Sequence, residues 1–431
     1  MKSPTNNKDS VKNAIIYLFG NILNGLLPFI LLPILTRILS PTSFGELGMF
    51  QTLVAVLNSF IGLGVHAAIN RMYFDSSTTN DSYKTFIGSA IHLLLITTTI
   101  VIAIFLVFSN YLTSVLGVNL QWAISAIGTS ACSMIINILL SQWQVRSHPI
   151  LYSAFQIAQS FINVSVSILL LIAFSKGSYG RVLGIFLASL IFCLVSLWTL
   201  HKENLIDLRR FKPEYIKELL NFGLPLVPHT CAAFIIVYID RYFIKSNLGL
   251  HQLGLYIAVS QIAAAGGLLV DAMNKAYVPW LYSRLALDND STNMEVVKLS
   301  YAFFFIAIVI ATFVQFGSKW ITVTIAGAQY VTAAASLKWF IYAHTFKAMY
   351  YVVTNYIFYS KKTIVLGFIT TITSIFNIGM LYFLVPLLGI EGASISFCAA
   401  MLLQFLVTWF FANKLHPMPW LGVFSPKIEP R

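Results

Sequence analysis

The chain has 431 residues, of which 58% are hydrophobic and only 10% are charged. Soluble domains carry about 25% charged residues, so this composition excludes an ordinary soluble protein and indicates an integral membrane protein. The formal net charge is +12, but the basic residues are scattered through short loops instead of being gathered on one soluble face. This distribution argues against a nucleic-acid partner and indicates that the charges set the orientation in the bilayer.

Apolar segments long enough to cross a bilayer recur along the whole chain. Each is near the roughly 20 residues that a transmembrane helix needs, and a charged gap separates the first six segments from the last six. The predicted fold class is therefore all-α, a polytopic membrane protein with about 12 transmembrane helices in two pseudo-symmetric six-helix bundles. The segments are 14–36, 44–68, 85–108, 120–143, 150–174, 181–200, 222–244, 252–279, 298–317, 329–358, 363–386 and 390–412.

The first helix is expected to be bent and to end at an arginine. Pro28 and Pro33 lie within its apolar run, Arg37 follows, and Ser40-Pro41 predicts a turn before the next helix. Prolines inside a membrane helix free backbone carbonyls, which is tolerated where protein or a wet cavity receives them. We therefore interpret this stretch as a bent helix beside a polar space. The alternative is an ordinary kinked helix with Arg37 at the level of the lipid headgroups.

The charged gap divides the chain into an N-terminal six-helix bundle (1–200), a cytoplasmic linker (201–221), a C-terminal six-helix bundle (222–412) and a cytoplasmic tail (413–431). In the linker, Pro213 is suited to begin a short helix, and Ile216 and Leu219 then fall on one side of it. We interpret this segment as an amphipathic interfacial helix that connects the two bundles. A plain solvated connector is the alternative.

The basic residues outside the apolar segments favour one orientation. With the N-terminus inside, the inner ends and loops hold 18 Lys and Arg residues. The outer ends hold 5, namely Arg37, Lys176, Arg181, Lys245 and Lys319. Positive residues are enriched in cytoplasmic loops of membrane proteins. Both termini are therefore predicted to lie in the cytoplasm.

The two halves repeat the same features in the same order. A Phe-Gly pair, two prolines and a helix-end arginine occur at Phe19, Gly20, Pro28, Pro33 and Arg37, and again at Phe222, Gly223, Pro225, Pro228 and Arg241. Because six helices per half bring both halves into the membrane from the same side, this is a parallel repeat. Such an architecture is typical of transporters whose site lies between the halves.

The sequence from Pro33 to Gln51 reads P-I-L-T-R-I-L-S-P-T-S-F-G-E-L-G-M-F-Q. Together with the twelve-helix layout and the central break, it resembles the polysaccharide-unit flippases of the multidrug/oligosaccharidyl-lipid/polysaccharide exporter superfamily, in particular the bacterial O-antigen-unit flippases. The resemblance implies two six-helix bundles in a V around a central cavity. It also implies that an undecaprenyl-pyrophosphate-linked oligosaccharide moves by alternating access from the inner to the outer leaflet of the bacterial inner membrane, without a cofactor. The lipid bilayer and other proteins of O-antigen assembly are the further partners it suggests.

Charged residues inside apolar segments need an explanation, because each costs about 2.5–3.5 kcal/mol at a helix centre. In the flippases that the sequence resembles, cavity-lining basic residues meet the pyrophosphate, and Arg37 and Arg241 match their helix-end arginines. We predict that the substrate site contains these two arginines with Lys275 and Lys347, and that Lys338 lies nearer the outer surface. Two carboxylates, Asp240 and Asp271, are predicted to couple transport to protons or sodium. Asp271 and Lys275, four residues apart, have the alternative of neutralising each other.

Polar residues form stripes on the fourth and fifth apolar segments. Their three- and four-residue spacing places them on one side of each helix. We predict that they line the cavity and bind the oligosaccharide, and that hydrogen bonding between packed helices is the alternative. The predicted substrate contacts are Asn137, Gln156, Gln159 and Asn163.

Other functions fit the residues less well. A cation-coupled small-molecule exporter of the multidrug type would need acidic cavity residues, whereas the charges here are mostly basic. An O-antigen polymerase would carry a long outer loop with arginines, which the sequence lacks. No nucleophile elbow, phosphate loop or metal-binding spacing occurs, so neither an enzyme nor a metal site is predicted.

Overall fold

A computed structural model of the chain describes residues 7–75, 79–172, 177–287 and 289–422, and within these ranges every regular element is helical. The predicted all-α polytopic fold is confirmed. The α-helices are α1 (Asn7–Ile38), α2 (Pro41–Gly62), α3 (Val65–Tyr73), α4 (Asn80–Val107), α5 (Ser109–Leu116), α6 (Leu120–Val145), α7 (Pro149–Ile172), α8 (Gly177–Lys202), α9 (Pro213–Gly223), α10 (Val227–Leu285), α11 (Asp290–Phe316), α12 (Ser318–Ala326), α13 (Ala334–Tyr359) and α14 (Ile364–Leu415).

Nine helices among the described residues are long and apolar enough to cross a membrane. Two of them, α10 and α14, are interrupted by glycines in left-handed conformations, Gly249 with φ 83° and Gly389 with φ 61°. A left-handed residue stops an α-helix, and glycine adopts it without a Cβ penalty. Counting each broken helix as two, and adding the less apolar α13, gives the twelve helices that the sequence predicts.

The chain separates into two compact units, Met1–Ser246 and Asn247–Arg431. The division lies inside α10, three residues before its break at Gly249. The first part of α10 therefore belongs with α1–α9, and residues 250–285 belong with α11–α14. The segments 1–200, 201–221, 222–412 and 413–431 stay a prediction about bundles and membrane sides.

Local signals end α1 and begin α2 near the turn that the sequence predicts at Ser40-Pro41, while α1 begins at Asn7, before the predicted apolar segment 14–36. α1 contains both Pro28 and Pro33 within its helix and carries Arg37 in its last turn. The Ser40 side chain then accepts a hydrogen bond from the backbone N–H of Ser43 at 3.2 Å, with Pro41 at the first helical position of α2. This combination of a serine N-cap and a first-turn proline is a favoured start of a helix.

The linker packs closely against the first unit. The backbone N–H of Asp207 donates to the carbonyl of Lys84 in α4 at 3.2 Å. A Cβ on Gly88 would lie 2.0 Å from the Asp207 carbonyl oxygen, and a Cβ on Gly223 would lie 1.8 Å from that of Leu63. Only glycine permits two backbones to approach this closely. The linker, including α9, is therefore a docked part of the first unit.

An aromatic core closes one end of the second unit. Phe304 and Phe405 pack against Trp409, and Trp420 from the segment after α14 is only 6% exposed. The Tyr301 hydroxyl donates to the Trp420 carbonyl at 3.1 Å. The beginning of the predicted tail is thus part of the folded core, and residues 423–431 lie outside the described residues.

Candidate functional site

Arg241 is held inside the first unit by neutral acceptors. Its guanidinium donates to the Gly48 carbonyl at 3.2 Å and to Thr52 Oγ1 at 3.0 Å, both in α2. It also lies over the Tyr238 ring, 4.6 Å from the centroid, at a distance where cation–π attraction is expected. None of the ion pairs among the described residues includes Arg241, so these neutral groups hold its guanidinium.

The neighbouring carboxylate, Asp240, is buried, with 7% of its surface exposed. It accepts a hydrogen bond from the backbone N–H of Arg241 at 2.7 Å. Asp240 and Arg241 therefore form an adjacent acidic and basic pair of residues within α10, and their side chains use different partners. The predicted coupling role of Asp240 stays a prediction.

Arg37 lies in the last turn of α1 and is exposed. Its Nη1 donates to the Pro33 carbonyl at 3.1 Å, one turn earlier in the same helix. The side chain thus folds back over the last turn of its own helix. The predicted role of Arg37 at the pyrophosphate stays a prediction.

In the second unit, Asp271 pairs with a lysine of another helix and not with Lys275, the partner that the sequence left open. Lys347 Nζ of α13 lies 3.7 Å from Asp271 Oδ1 of α10, and 5.3 Å from the centroid of the Tyr351 ring. The alternative pair between Asp271 and Lys275 does not form, and Lys275 is exposed. The carboxylate of Asp271 therefore finds its partner on the packed helix α13 and not one turn along its own helix.

The Asp271–Lys347 pair is loose and accessible. The side chains are 43% and 31% exposed, respectively, and their charged atoms are 3.7 Å apart. By contrast, Lys338 lies 3.0 Å from Glu391, whose carboxylate also accepts from Trp339 Nε1 at 3.0 Å. Lys338 is therefore more firmly paired than Lys347. Of the two, Lys347 has the more distant carboxylate partner.

The polar stripe of α7 is largely used in packing. Ser160 donates to Asn24 of α1, and Asn163 accepts from Arg181 of α8. Gln156 Nε2 donates to the Tyr152 hydroxyl at 3.3 Å. Hydrogen bonding between helices, the alternative left open by the sequence, thus accounts for much of this stripe.

Two of the predicted oligosaccharide contacts do not take part in hydrogen bonding between packed helices. Asn137 and Gln159 are half-buried, and neither side chain has a hydrogen bond within the described part of the chain. The four predicted contacts, Asn137, Gln156, Gln159 and Asn163, stay predictions, and these two amides are the ones that remain available for a ligand.

Sequence reasoning missed a buried arginine. Arg181, assigned from the sequence to an outer helix end, is only 7% exposed and donates to both Asn163 and Ser167 of α7. The sequence does carry one signal for this contact. Asn163 and Ser167 are four residues apart, so they present two hydrogen-bond acceptors on one face of α7, where a single donor from a neighbouring helix can reach both. Arg181 is a second cation of the first unit that is held by neutral acceptors.

A second missed contact ties α10 to the end of α5. Lys245 Nζ donates to the carbonyls of Ser114 and Val115 at 2.7 and 3.0 Å. The last carbonyls of a helix lack intrahelical donors and carry partial negative charge, so an ammonium group stabilises them. Lys245, also assigned from the sequence to an outer helix end, therefore fixes the position of α10 within the first unit.

Comparison with known proteins agrees with this architecture. The family model described as "Polysaccharide biosynthesis protein" matches residues 10–284. The "Lsg locus putative protein 1" of Haemophilus influenzae is 26% identical over 405 residues, covering 89% of this chain and 94% of that protein. The "Capsular polysaccharide biosynthesis protein CapF" of Staphylococcus aureus is 23% identical over 309 residues, covering 70% of this chain and 72% of that protein.

Among solved structures, the chain shares its fold with transporters. The lipid II flippase MurJ in an inward closed conformation aligns with a TM-score of 0.72 at 13% identity, covering 94% of this chain and 87% of MurJ. An inward-facing multidrug resistance MATE transporter of the MOP superfamily aligns with a TM-score of 0.64 at 14% identity, covering 95% and 96%. The resemblance predicted from the sequence is thereby confirmed, and the chain belongs to the polysaccharide biosynthesis protein family, with the fold of MOP-superfamily transporters.

Proposed function

We propose that this protein flips an undecaprenyl-pyrophosphate-linked O-antigen oligosaccharide from the inner to the outer leaflet of the bacterial cytoplasmic membrane by alternating access. The observation that carries the proposal is how two cations of the apolar helices are paired. Arg241 is held by neutral acceptors, and Lys347 is only loosely paired. An anionic cargo gains from such charges, whereas a cationic cargo is repelled by them. Membership in a polysaccharide biosynthesis family supports the same cargo.

The proposal assigns a role to each predicted residue. Arg37, Arg241, Lys275 and Lys347 receive the pyrophosphate. The amides of Asn137 and Gln159 contact the oligosaccharide, and Gln156 and Asn163, which hydrogen-bond to Tyr152 and Arg181, contribute only where they exchange those bonds for the cargo. Both termini lie in the cytoplasm, and proteins of O-antigen and lipopolysaccharide assembly supply and receive the cargo. No bond of the cargo is made or broken, so the protein acts as a transporter and not as an enzyme.

A gene deletion tests the proposed cargo. We expect the deletion strain to lose surface O-antigen and to accumulate lipid-linked repeat units that only reagents reaching the inner leaflet can modify. Wild-type protein restores display, and so does Lys319→Gln, which removes an exposed charge at the start of α12. Lys347→Gln restores it poorly. Normal O-antigen display in the deletion strain would refute the proposal.

The coupling role of Asp240 and Asp271 has its own test. In the proposal, one of these carboxylates exchanges a proton or binds sodium during each transport cycle. Flipping by the wild type then slows when the proton or sodium gradient is collapsed, and Asp240→Asn or Asp271→Asn removes that dependence. Wild-type flipping that is insensitive to both gradients would exclude ion coupling.

A cation-coupled exporter of small molecules is the second candidate, because the fold is shared with MATE transporters. That function predicts efflux of lipophilic cations such as ethidium from cells that overproduce the protein. Efflux equal to that of cells without the protein, together with trapped lipid-linked units in the deletion strain, separates the two candidates.

A further inference from the structure

A histidine of α13, His344, lies against α10 close to the Asp271–Lys347 pair. The side chain is half-buried, and its ring packs on the backbone of α10 at Gly267. A Cβ added at Gly267 would lie 3.2 Å from His344 Nδ1 and 3.3 Å from Cε1. The absence of a side chain at Gly267 therefore gives the imidazole its place between the two helices.

The imidazole and the ion pair share one interface between α10 and α13. Gly267 precedes Asp271 by four residues in α10, and His344 precedes Lys347 by three residues in α13. Residues three or four apart lie on one face of a helix, and one turn rises about 5.4 Å. His344 thus lies about one turn from both charges of the pair, where a charge alters the protonation of a neighbouring group.

The Nδ1 atom of His344 is buried and has no hydrogen-bond partner within the described part of the chain. A buried polar atom without a partner is costly and uncommon in folded proteins. The ring of Phe397 in α14 lies 6.3 Å from the imidazole, centroid to centroid, and carries no polar atom. Hydrogen bonding among the described residues therefore gives no structural reason for a histidine at this position.

Asp271 and Lys347 are the charges that act most directly on His344. The α11 and α12 residues that line a cavity together with His344 are all apolar. Lys338, about two turns before His344, lies 3.0 Å from Glu391 of α14, so these two charges offset each other. The titratable groups within about two turns of His344 and its contacts are Asp271 and Lys275 of α10, Lys338, Tyr342, Lys347, Tyr350 and Tyr351 of α13, and Glu391 and Cys398 of α14.

The two charges of the pair have opposite effects on the imidazole. A nearby ammonium group disfavours an imidazolium, and a nearby carboxylate favours it. These effects offset each other while Lys347 stays beside Asp271. Movement of Lys347 towards an anionic ligand leaves the carboxylate without its partner, and a proton on His344 then restores the balance of charge. Histidine is suited to this exchange, because its charge changes most readily near neutral pH.

We propose that His344 takes up a proton from water when the pyrophosphate of the cargo draws Lys347 away from Asp271. The carboxylate of Asp271 then exchanges an ammonium partner for an imidazolium and stays ionised throughout. Release of the pyrophosphate returns Lys347 to Asp271, and His344 gives its proton back to water. This assignment rests on the proposed function, since it requires an anionic headgroup at Lys347. It adds a proton-binding residue to the two carboxylates already predicted.

Cargo binding and proton binding should then stabilise each other. A ligand whose binding takes up protons binds more tightly as the pH falls, and one proton corresponds to an affinity change of up to about tenfold per pH unit. The pyrophosphate itself also titrates. The contribution of His344 is therefore the difference between the wild type and a variant without the imidazole.

Calorimetric counting of protons provides the test. Farnesyl pyrophosphate, a short polyisoprenyl pyrophosphate, is titrated into the full-length protein in nanodiscs at several pH values around neutrality. Two buffers with different protonation enthalpies give the number of protons taken up per ligand bound. His344→Gln removes the imidazole. His92→Gln is its matched control, because His92 also lies in an apolar helix, α4, with a buried Nδ1 that has no partner among the described residues.

We expect the wild type and His92→Gln to take up the same number of protons and His344→Gln to take up fewer, the difference approaching about one proton. The affinity of the wild type relative to that of His344→Gln should rise by up to about tenfold for each unit fall in pH. Asp271→Asn should lose the same uptake, because the imidazolium has no carboxylate beside it. Equal uptake by the wild type and His344→Gln would overturn the proposal, and so would full uptake by Asp271→Asn.

A second variant, His344→Asn, repeats the comparison in case His344→Gln does not fold, since its amide lies near the position of Nδ1. If the deletion strain traps lipid-linked units and these variants take up as many protons as the wild type, the role of His344 is wrong and the proposed function stands. If the deletion traps nothing, the proposed function fails, and the role of His344 fails with it. Absence of farnesyl pyrophosphate binding to the wild type would also overturn the assignment.

Discussion

The two units hold the cations of their apolar helices by different chemistry. In the first unit, Arg241 donates to a backbone carbonyl and a hydroxyl, and Arg181 donates to an amide and a hydroxyl. In the second, Lys347 and Lys338 lie beside the carboxylates of Asp271 and Glu391. Neutral acceptors satisfy the donors of a guanidinium and leave its charge in place, whereas a carboxylate offsets part of a lysine's charge, more for Lys338 at 3.0 Å than for Lys347 at 3.7 Å.

This difference in partners follows from the chemistry of arginine and lysine side chains. The planar fork of arginine presents five donors and reaches several acceptors at once, while the lysine ammonium acts as a point charge that one carboxylate matches. We therefore expect the first unit to depend more strongly on individual cations than the second.

The largest effect is expected at the buried arginine of the first unit. Arg181→Met removes charge-assisted hydrogen bonds to Asn163 and Ser167 and leaves their polar groups without the donor, which should lower the unfolding free energy by about 2–3 kcal/mol. Thermal unfolding in detergent measures this loss. Arg209→Met, at an exposed position in the linker, is the control.

A double substitution tests whether polar groups left without a partner cause the loss of stability in Arg181→Met. Arg181→Met combined with Asn163→Leu replaces donor and acceptor together by apolar groups and should recover part of the lost stability. A melting temperature of Arg181→Met equal to that of the wild type would contradict the account, as would a double variant less stable than the sum of the two single changes.

The next effect concerns transport. Arg241→Gln removes the charge while keeping a polar side chain, and flipping should fall about ten- to hundredfold if the pyrophosphate loses 1.5–3 kcal/mol of charge-assisted hydrogen bonding. Thr52→Val is the matched control, because it removes one partner of Arg241 and keeps its charge. We expect this control to retain most of the O-antigen display, measured by gel electrophoresis of lipopolysaccharide.

A smaller effect is expected for the ion pair of the second unit. The atoms of the Asp271–Lys347 pair are 3.7 Å apart and both side chains are partly exposed, so the coupling free energy should be below about 1 kcal/mol. A double-mutant cycle with Asp271→Asn and Lys347→Gln, followed by thermal unfolding, measures it. A coupling of several kcal/mol would show that the two units depend equally on their cations.

The smallest effect is expected at Lys245. Lys245→Met removes the ammonium group from the C-terminal carbonyls of α5, an interaction of about 0.3–1 kcal/mol. Lys319→Met, at an exposed position of α12, should change nothing. Hydrogen exchange at the end of α5 provides the local readout, and unchanged protection there would argue that the contact with Lys245 contributes nothing.

Helix boundaries that depend on a few neighbouring residues can be predicted from the sequence. The serine cap and proline at Ser40 and Pro41 appear where the turn is expected. The predicted interruptions between apolar segments bracket Gly249 and Gly389, the left-handed residues that break α10 and α14. Caps, prolines and glycines act within a few residues and are therefore visible in sequence.

The partner of an individual charged residue cannot be predicted from such local signals. Asp271 has Lys275 one turn away in its own helix, yet its carboxylate lies beside Lys347, 76 positions later in the chain. Arg181 lies near the start of α8, where the sequence suggests an exposed charge, and the packing of α7 against α8 buries it. Both outcomes depend on which helices become neighbours, and spacing within one helix carries no information about that.

The central claim is that uncancelled cations in the membrane carry a pyrophosphate-linked glycan across. Its most direct test is the rate at which purified protein in liposomes brings a polyisoprenyl-pyrophosphate-linked oligosaccharide to the opposite leaflet, where an added lectin detects it. The account predicts a rate that falls about tenfold or more for Arg241→Gln and stays near the wild-type value for Thr52→Val. Equal rates for the wild type and Arg241→Gln would contradict it.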